Sequence, residues 1–176
     1  MGLFSKIFKS PEKEDKKQDF SYIAEIAALI TSDNAEVMKK INYCINNPEE
    51  YEVQWATNGI DYGSKDFGWI NLISELEEGG YLFSVDFKCE LEDFLWALEQ
   101  IKTYSLIDID LSSLDLDENG DVTSWGRKIN AALNGKALIC TVDVDSDSYE
   151  LIIVSADVYN IISDVAESNG HRIDEL

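Results

Sequence analysis

The residues with the clearest chemical potential form a run of oxygen-bearing side chains between positions 115 and 123. The matches to positions 1, 3, 5, 6 and 9 of an EF-hand-type calcium loop are Asp115, Asp117, Asn119, Gly120 and Thr123. Position 12, which needs a bidentate Glu, falls on Gly126. The competing interpretation is an acidic turn, in which Asn119 and Gly120 bend the chain and Asp121 or Thr123 caps the next helix. We favour the turn, and a calcium- or metal-responsive binding module remains the alternative.

A second acidic cluster places Asp143, Asp145 and Asp147 at alternating positions. On an extended strand the three carboxylates would share one face, where they could hold a hard cation or a basic side chain. Asp and Ser are also the residues that hairpin turns favour. We favour the turn, which is compatible with contact to a basic partner, and assign no metal.

Catalytic constellations are poorly supported. His171 is the only histidine and lies close to the end of the sequence, where a nucleophile–His–acid system would have to be built. Cys44, Cys89 and Cys140 form no CxxC pair, so free thiols in a reducing compartment are expected. No glycine-rich phosphate loop is framed by a strand and a helix. The sequence predicts a protein that is not an enzyme and that needs no cofactor.

The charge balance restricts the partners. The chain has 35 Asp and Glu against 14 Lys and Arg, a net charge of −21 over 176 residues. Residues 1–18 hold five Lys against three acids, a net of +2, so the remaining residues carry −23. Such a field repels nucleic acid and anionic membranes and attracts basic proteins. With no secretory signal and no apolar run of membrane-spanning length, we expect a cytoplasmic protein without stable membrane association.

The acids are concentrated in two tracts. No basic residue lies between Lys102 and Arg127, or between Lys136 and Arg172. We predict a docking face for a basic protein, built from Asp108, Asp110, Asp115, Asp117, Glu118 and Asp121 of the first tract and Asp143, Asp145 and Asp147 of the second.

Tryptophans are the other candidate binding residues. All four, Trp55, Trp69, Trp96 and Trp125, sit on apolar periods, for which core packing is the default. Trp55 and Trp125 have the more polar neighbours, so we predict that these two are exposed. Trp125 follows the first acidic tract and joins the predicted docking face as its aromatic contact.

Periodicity predicts the elements that position these residues. Apolar residues recur at helical spacing in 20–30, 37–45, 66–78, 90–103, 123–134 and 156–168, and strand-like runs occupy 51–55, 81–87, 106–109, 136–142 and 149–154. The last two strands flank the Asp143–Ser148 segment and predict a hairpin. We expect an α+β fold in which a mainly antiparallel sheet is packed by several helices, as a single domain over residues 19–176. Residues 1–18 are expected to form a flexible charged tail.

Short motifs in the C-terminal half add a resemblance. Val85-Asp86-Phe87-Lys88, Ser146-Asp147-Ser148-Tyr149 and Gly170-His171-Arg172-Ile173 resemble a bacterial family of uncharacterised function, whose members have an Asp-Trp-Lys-like strand end and a Ser-Asp-Ser-Tyr hairpin. Phe87 stands where that family has Trp. The overall type also resembles immunity proteins of interbacterial toxin systems, including contact-dependent inhibition. This resemblance implies binding and blocking of a toxin domain, often a basic nuclease, without catalysis.

Overall fold

The computed structural model describes residues 19–57 and 67–176. Within these residues the chain forms seven α-helices and four β-strands in the order α1 to α4, β1, α5, α6, β2, β3, α7, β4. The helices are α1 Ser21–Thr31, α2 Ala35–Asn46, α3 Pro48–Thr57, α4 Phe67–Glu78, α5 Leu91–Gln100, α6 Val122–Leu133 and α7 Ala156–Ser168. The strands are β1 Phe83–Asp86, β2 Ala137–Val142, β3 Ser148–Ser155 and β4 Ile173–Glu175. The predicted tail over residues 1–18 and the predicted helix start at Asp66 lie outside the described residues.

The strands form one antiparallel sheet with the order β1-β3-β2-β4. The predicted hairpin is confirmed, since β2 pairs with β3 and Cys140 lies opposite Ile152. The short strands β1 and β4 form the two edges. Sequence neighbours are therefore joined at the centre of the sheet, and the edges come from distant parts of the chain.

Both faces of the central hairpin are buried. Successive side chains of a strand point to opposite faces, and in β3 Leu151 and Ile153 lie in one hydrophobic core while Ile152 and Val154 lie in the other. Helices α1, α2, α4 and α7 cover the Ile152 face, and α5 and α6 cover the Leu151 face. The molecule is thus a sheet between two helical layers, which confirms the predicted α+β class with an antiparallel sheet packed by several helices.

Two short predicted strands are wrong. Residues 51–55 belong to helix α3, because Pro48 occupies its first position and Glu49 and Glu50 its first turn, all favourable at a helix N-terminus. Leu106 is the last residue of a 3₁₀ turn, Tyr104–Leu106, and residues 107–109 form no ladder with another strand. Alternation over four or five residues is too short to separate a strand from a turn or a helix.

A buried asparagine on α6 links the layer formed by α5 and α6 to the sheet through hydrogen bonds. The Asn130 side chain on α6 accepts a hydrogen bond from Ile139 N at 2.7 Å and donates to Ile139 O at 2.9 Å and Leu176 O at 3.1 Å. Asn130 is 5% exposed, so these backbone groups have little access to water. One side chain therefore links α6, β2 and the residue after β4.

Replacing this residue tests the link. Asn130→Ala should lower the free energy of unfolding by roughly 1 to 3 kcal/mol, because the buried Ile139 N–H would lose its acceptor, while Ile139 O keeps a hydrogen bond from Leu176 N. Asn130→Asp is the matched variant, since a carboxylate can still accept from Ile139 N but cannot donate to Ile139 O. Urea unfolding should place Asn130→Asp below wild type as well, and wild-type stability in both variants would contradict the interpretation.

No helix among the described residues is both long enough and apolar enough to cross a membrane.

Candidate functional site

The end of the first acidic tract that precedes α6 meets the second tract at one end of the sheet. Asp108 and Asp110 lie nearer the start of the first tract, after Thr103, whose hydroxyl donates to Ile153 O toward the other end of β3. Phe87 N, just after β1, donates to Asp147 O at the tip of the β2–β3 hairpin, at 3.2 Å. At the start of α6, the hydroxyl of Thr123 lies 3.2 Å from that of Tyr149, just after the same tip. Helix α5 begins five residues after β1, at Leu91. The N-termini of α5 and α6 and the hairpin tip therefore share one end of the molecule, where helix dipoles favour negative charge.

Several acids of the first tract stabilise local structure. The Asp110 carboxylate accepts from the backbone and hydroxyl of Ser112, and the Asp117 carboxylate accepts from Asn119 N at 3.0 Å. Asp121 is the N-cap of α6: its carboxylate accepts from Ser124 N at 2.7 Å, and the Ser124 hydroxyl closes the capping box. The predicted turn and cap are thus confirmed, and these side chains have a structural role whatever they bind.

Two basic side chains from outside the acidic tracts contact them in the structure. Arg172 binds the Asp143 carboxylate through Nε at 3.0 Å and Nη2 at 2.6 Å. Asp143 also accepts from Asp145 N, and this hydrogen bond, together with Arg172, lowers the pKa of Asp143. Lys128 donates to the backbone oxygen of Asp115. Asp143 is therefore occupied, while Asp108, Asp115, Asp145 and Asp147 have exposed side chains.

In the loop over residues 115–123, several oxygens that a calcium site could use already accept hydrogen bonds from the protein. Asp117 O accepts from Gly120 N and from the indole of Trp125, and the Asp117 and Asp121 carboxylates complete turns of their own chain. Over the described residues, no group of three or more His, Cys, Asp or Glu side chains is placed to hold a metal ion.

The prediction that Trp125 is exposed is wrong. Its side chain is 2% exposed, packs against Phe94 with ring centroids 5.5 Å apart, and donates its indole N–H to Asp117 O at 2.6 Å. The polar neighbours that suggested exposure occupy the flanking positions of an amphipathic helix, whose inner face carries Trp125. Trp125 therefore supports the acidic loop from beneath. The side chain of Trp55 lies outside the described residues.

Among the tryptophans whose side chains are described, the exposed one is Trp96, on the outer face of α5. Its side chain is 53% exposed, and its ring lies edge-on against Phe83 with centroids 5.3 Å apart. It borders a groove of about 700 Å³ lined by Glu90, Leu91, Glu92, Leu95, Trp96, Glu99 and Glu118. The groove thus combines an apolar wall with four carboxylates, one of them from the first predicted tract.

Helical geometry explains this groove. Phe94, Ala97 and Leu98 are the buried residues of α5, so the opposite side of the helix faces solvent. Glu92, Trp96 and Glu99 follow each other at spacings of four and three residues and share that solvent-facing side. Lys and Arg are absent from the described residues that line the groove. An aromatic ring among unpaired carboxylates can receive a cationic side chain, because both groups attract positive charge.

A family model described as a domain of unknown function (DUF6630) matches residues 23–176. The chain belongs to the DUF6630 family. No curated protein and no solved structure matches it. The matched range contains the whole sheet and every residue that lines the groove, so both lie within the DUF6630 domain.

Sequence reasoning found one wall of this DUF6630 groove and missed the other. The acidic tract predicts Glu118 as a binding residue, whereas Trp96 lies on an apolar period, for which core packing is the expectation. The available signal was the helical spacing that groups Trp96 with Glu92 and Glu99 and separates it from Phe94 and Leu98.

Other reactive groups in the DUF6630 domain serve packing. The His171 ring stacks on Trp69 with centroids 4.4 Å apart, and its Nε2 lies 3.1 Å from the Tyr22 hydroxyl. The three cysteines are free, as predicted, and burial raises the pKa of Cys44 to about 12. A thiol with such a pKa stays protonated at neutral pH and is a poor nucleophile.

The capping role of Asp121 can be separated from its charge. Asp121→Ala should lower the free energy of unfolding by about 1 kcal/mol, because Ser124 N loses its acceptor. Asp108→Ala removes the same charge from an exposed carboxylate that has no hydrogen bond within the described residues, and should leave stability nearly unchanged. Urea unfolding of both variants measures the difference, and equal stabilities would contradict the capping role.

Proposed function

We propose that this protein is a non-catalytic binding protein that neutralises a basic toxin domain by covering it with its acidic end. It would act in the cytoplasm, as immunity proteins of interbacterial toxin systems do. The observation that carries the proposal is the Trp96 groove, where a half-exposed indole lies among four glutamates. Buried aromatic anchors surrounded by polar residues dominate the binding energy of many protein interfaces.

Charge supports the same partner class. The net charge of −21 gives the whole molecule an attractive field for a basic protein, and such steering raises association rates by roughly 10- to 1,000-fold. Fast capture suits a protein that must block a toxin before it acts. The groove then supplies the short-range contact that steering alone lacks, because an arginine or lysine can lie over Trp96 within reach of the carboxylates.

Capture of the partner is the first test. A tagged full-length chain should co-purify with the basic protein encoded beside its own gene, and the complex should weaken as salt is raised. Trp96→Ala should weaken the affinity at least about tenfold. The control is Ile161→Ala on α7, which removes a side chain of similar exposure, 46%, from the other helical layer. Equal losses of affinity in the two variants would contradict the proposed site.

The role of the glutamates that line the Trp96 groove is tested by comparing two triple variants that remove the same number of charges. Glu92→Gln, Glu99→Gln and Glu118→Gln together should slow association and flatten its salt dependence, because the carboxylates nearest the contact are lost. Asp157→Asn, Asp164→Asn and Glu167→Gln remove the same charge from exposed positions of α7 and should have a much smaller effect. Stopped-flow association rates measure both, and identical rates would assign the attraction to net charge alone.

A further inference from the structure

Among the described strands, none pairs with the outer hydrogen-bonding side of the edge strand β1. Phe87 N donates to Asp147 O, and the register continues through Val85 opposite Tyr149 and Phe83 opposite Leu151. In an antiparallel pair, alternate residues direct their N–H and C=O groups to the partner strand. Ser84, between Phe83 and Val85, therefore directs its N–H and C=O away from β3. Within residues 19–57 and 67–176, no strand pairs with this side of β1.

A polar groove lies on one face of this edge. It has a volume of about 500 Å³, and its lining includes Ser84, Glu77, Asp145 and Glu150. Glu150 is 6% exposed and accepts hydrogen bonds from the hydroxyls of Ser84 and Ser148. Neither Lys nor Arg is among the described residues that line this groove. A buried carboxylate held only by neutral donors attracts positive charge strongly, because the surrounding dielectric is low.

The Trp96 groove lies on the other face of the same edge. Trp96 contacts Phe83, the first residue of β1, and α5 packs on the face of the sheet that carries Val85. The aromatic rings just before and just after β1 each contact a lysine: Lys88 Nζ lies 4.7 Å from the Phe87 ring centroid, and Lys102 Nζ lies 5.2 Å from that of Tyr81. The open edge is thus flanked on both faces by grooves that lack a positive lining residue.

We propose that β1 is the docking edge for an extended basic segment of the partner, which adds a fifth strand to the sheet. Successive side chains of a strand point to opposite faces, so alternate cationic residues of that segment would enter the Glu150 groove and the others would approach Trp96. Ser84 N–H and C=O supply the backbone pairing, as in other cases of strand addition. The inference rests on the proposed function, and it specifies the element by which the partner binds.

Hydrogen exchange of the full-length chain, read by NMR, tests the proposal. In the free protein the Ser84 amide should exchange much faster than that of Val85, which the ladder protects. The probe is a twelve-residue peptide in which pairs of lysines alternate with pairs of valines, so that lysines point to both faces of the added strand. The control is the same peptide methylated on every backbone nitrogen, which keeps the charge and removes the donors. At a probe concentration of about 1 mM, a Kd of about 0.1 mM should slow exchange at Ser84 about tenfold, and the control should not slow it.

Three results would overturn the strand addition: no binding of the probe, binding that leaves Ser84 exchange unchanged, or equal protection by the methylated peptide. None of them bears on capture of the toxin-like partner, which is measured separately. If capture of the partner depends on Trp96 but the probe leaves Ser84 exchange unchanged, the Trp96 docking surface is supported and the strand addition is rejected.

Discussion

The structure depends on a central hairpin that must be buried on both faces. Strands β2 and β3 carry large aliphatic residues at consecutive positions, as in Ile152-Ile153, and consecutive side chains point to opposite faces. Leaving either face in water would expose most of one core, at a cost of roughly 25 cal/mol per Å² of apolar surface. Two helical layers are therefore required. The charged residues that remain are carried largely by outer helix faces, loops and strand ends.

This constraint also determines where the acids gather. Helices α5 and α6 cover one face of the sheet and begin at the end that holds the hairpin tip. Acidic residues are favourable at helix N-termini and in turns, so part of the acidity at this end stabilises the fold, as Asp121 does. Glu92, Glu99 and Glu118 have no such hydrogen bond among the described contacts, and they surround the one tryptophan that the described side chains leave exposed. Their position is the reason for proposing a docking role.

Elements with strong local signals could be predicted from the sequence. The β2–β3 hairpin, helix α7 and the Asp121 cap follow from apolar periodicity and turn chemistry. The predictions that failed concern side chains whose burial depends on tertiary contacts. The polar neighbours of Trp125 suggested that it is exposed, and the apolar period of Trp96 suggested that it is buried. The pairing of Arg172 with Asp143, 29 residues away in sequence, likewise depends on β4 joining the sheet beside β2. No local pattern contains that information.

The most direct test of the docking surface is an ¹⁵N NMR titration of the full-length chain with its captured basic partner, following the indole N–H signals of the tryptophans. The account predicts that the exposed Trp96 indole shifts and broadens on binding far more than the buried indoles of Trp69 and Trp125, which donate to Asp143 O and Asp117 O. A partner that binds with full affinity and leaves the Trp96 signal unchanged would contradict the account.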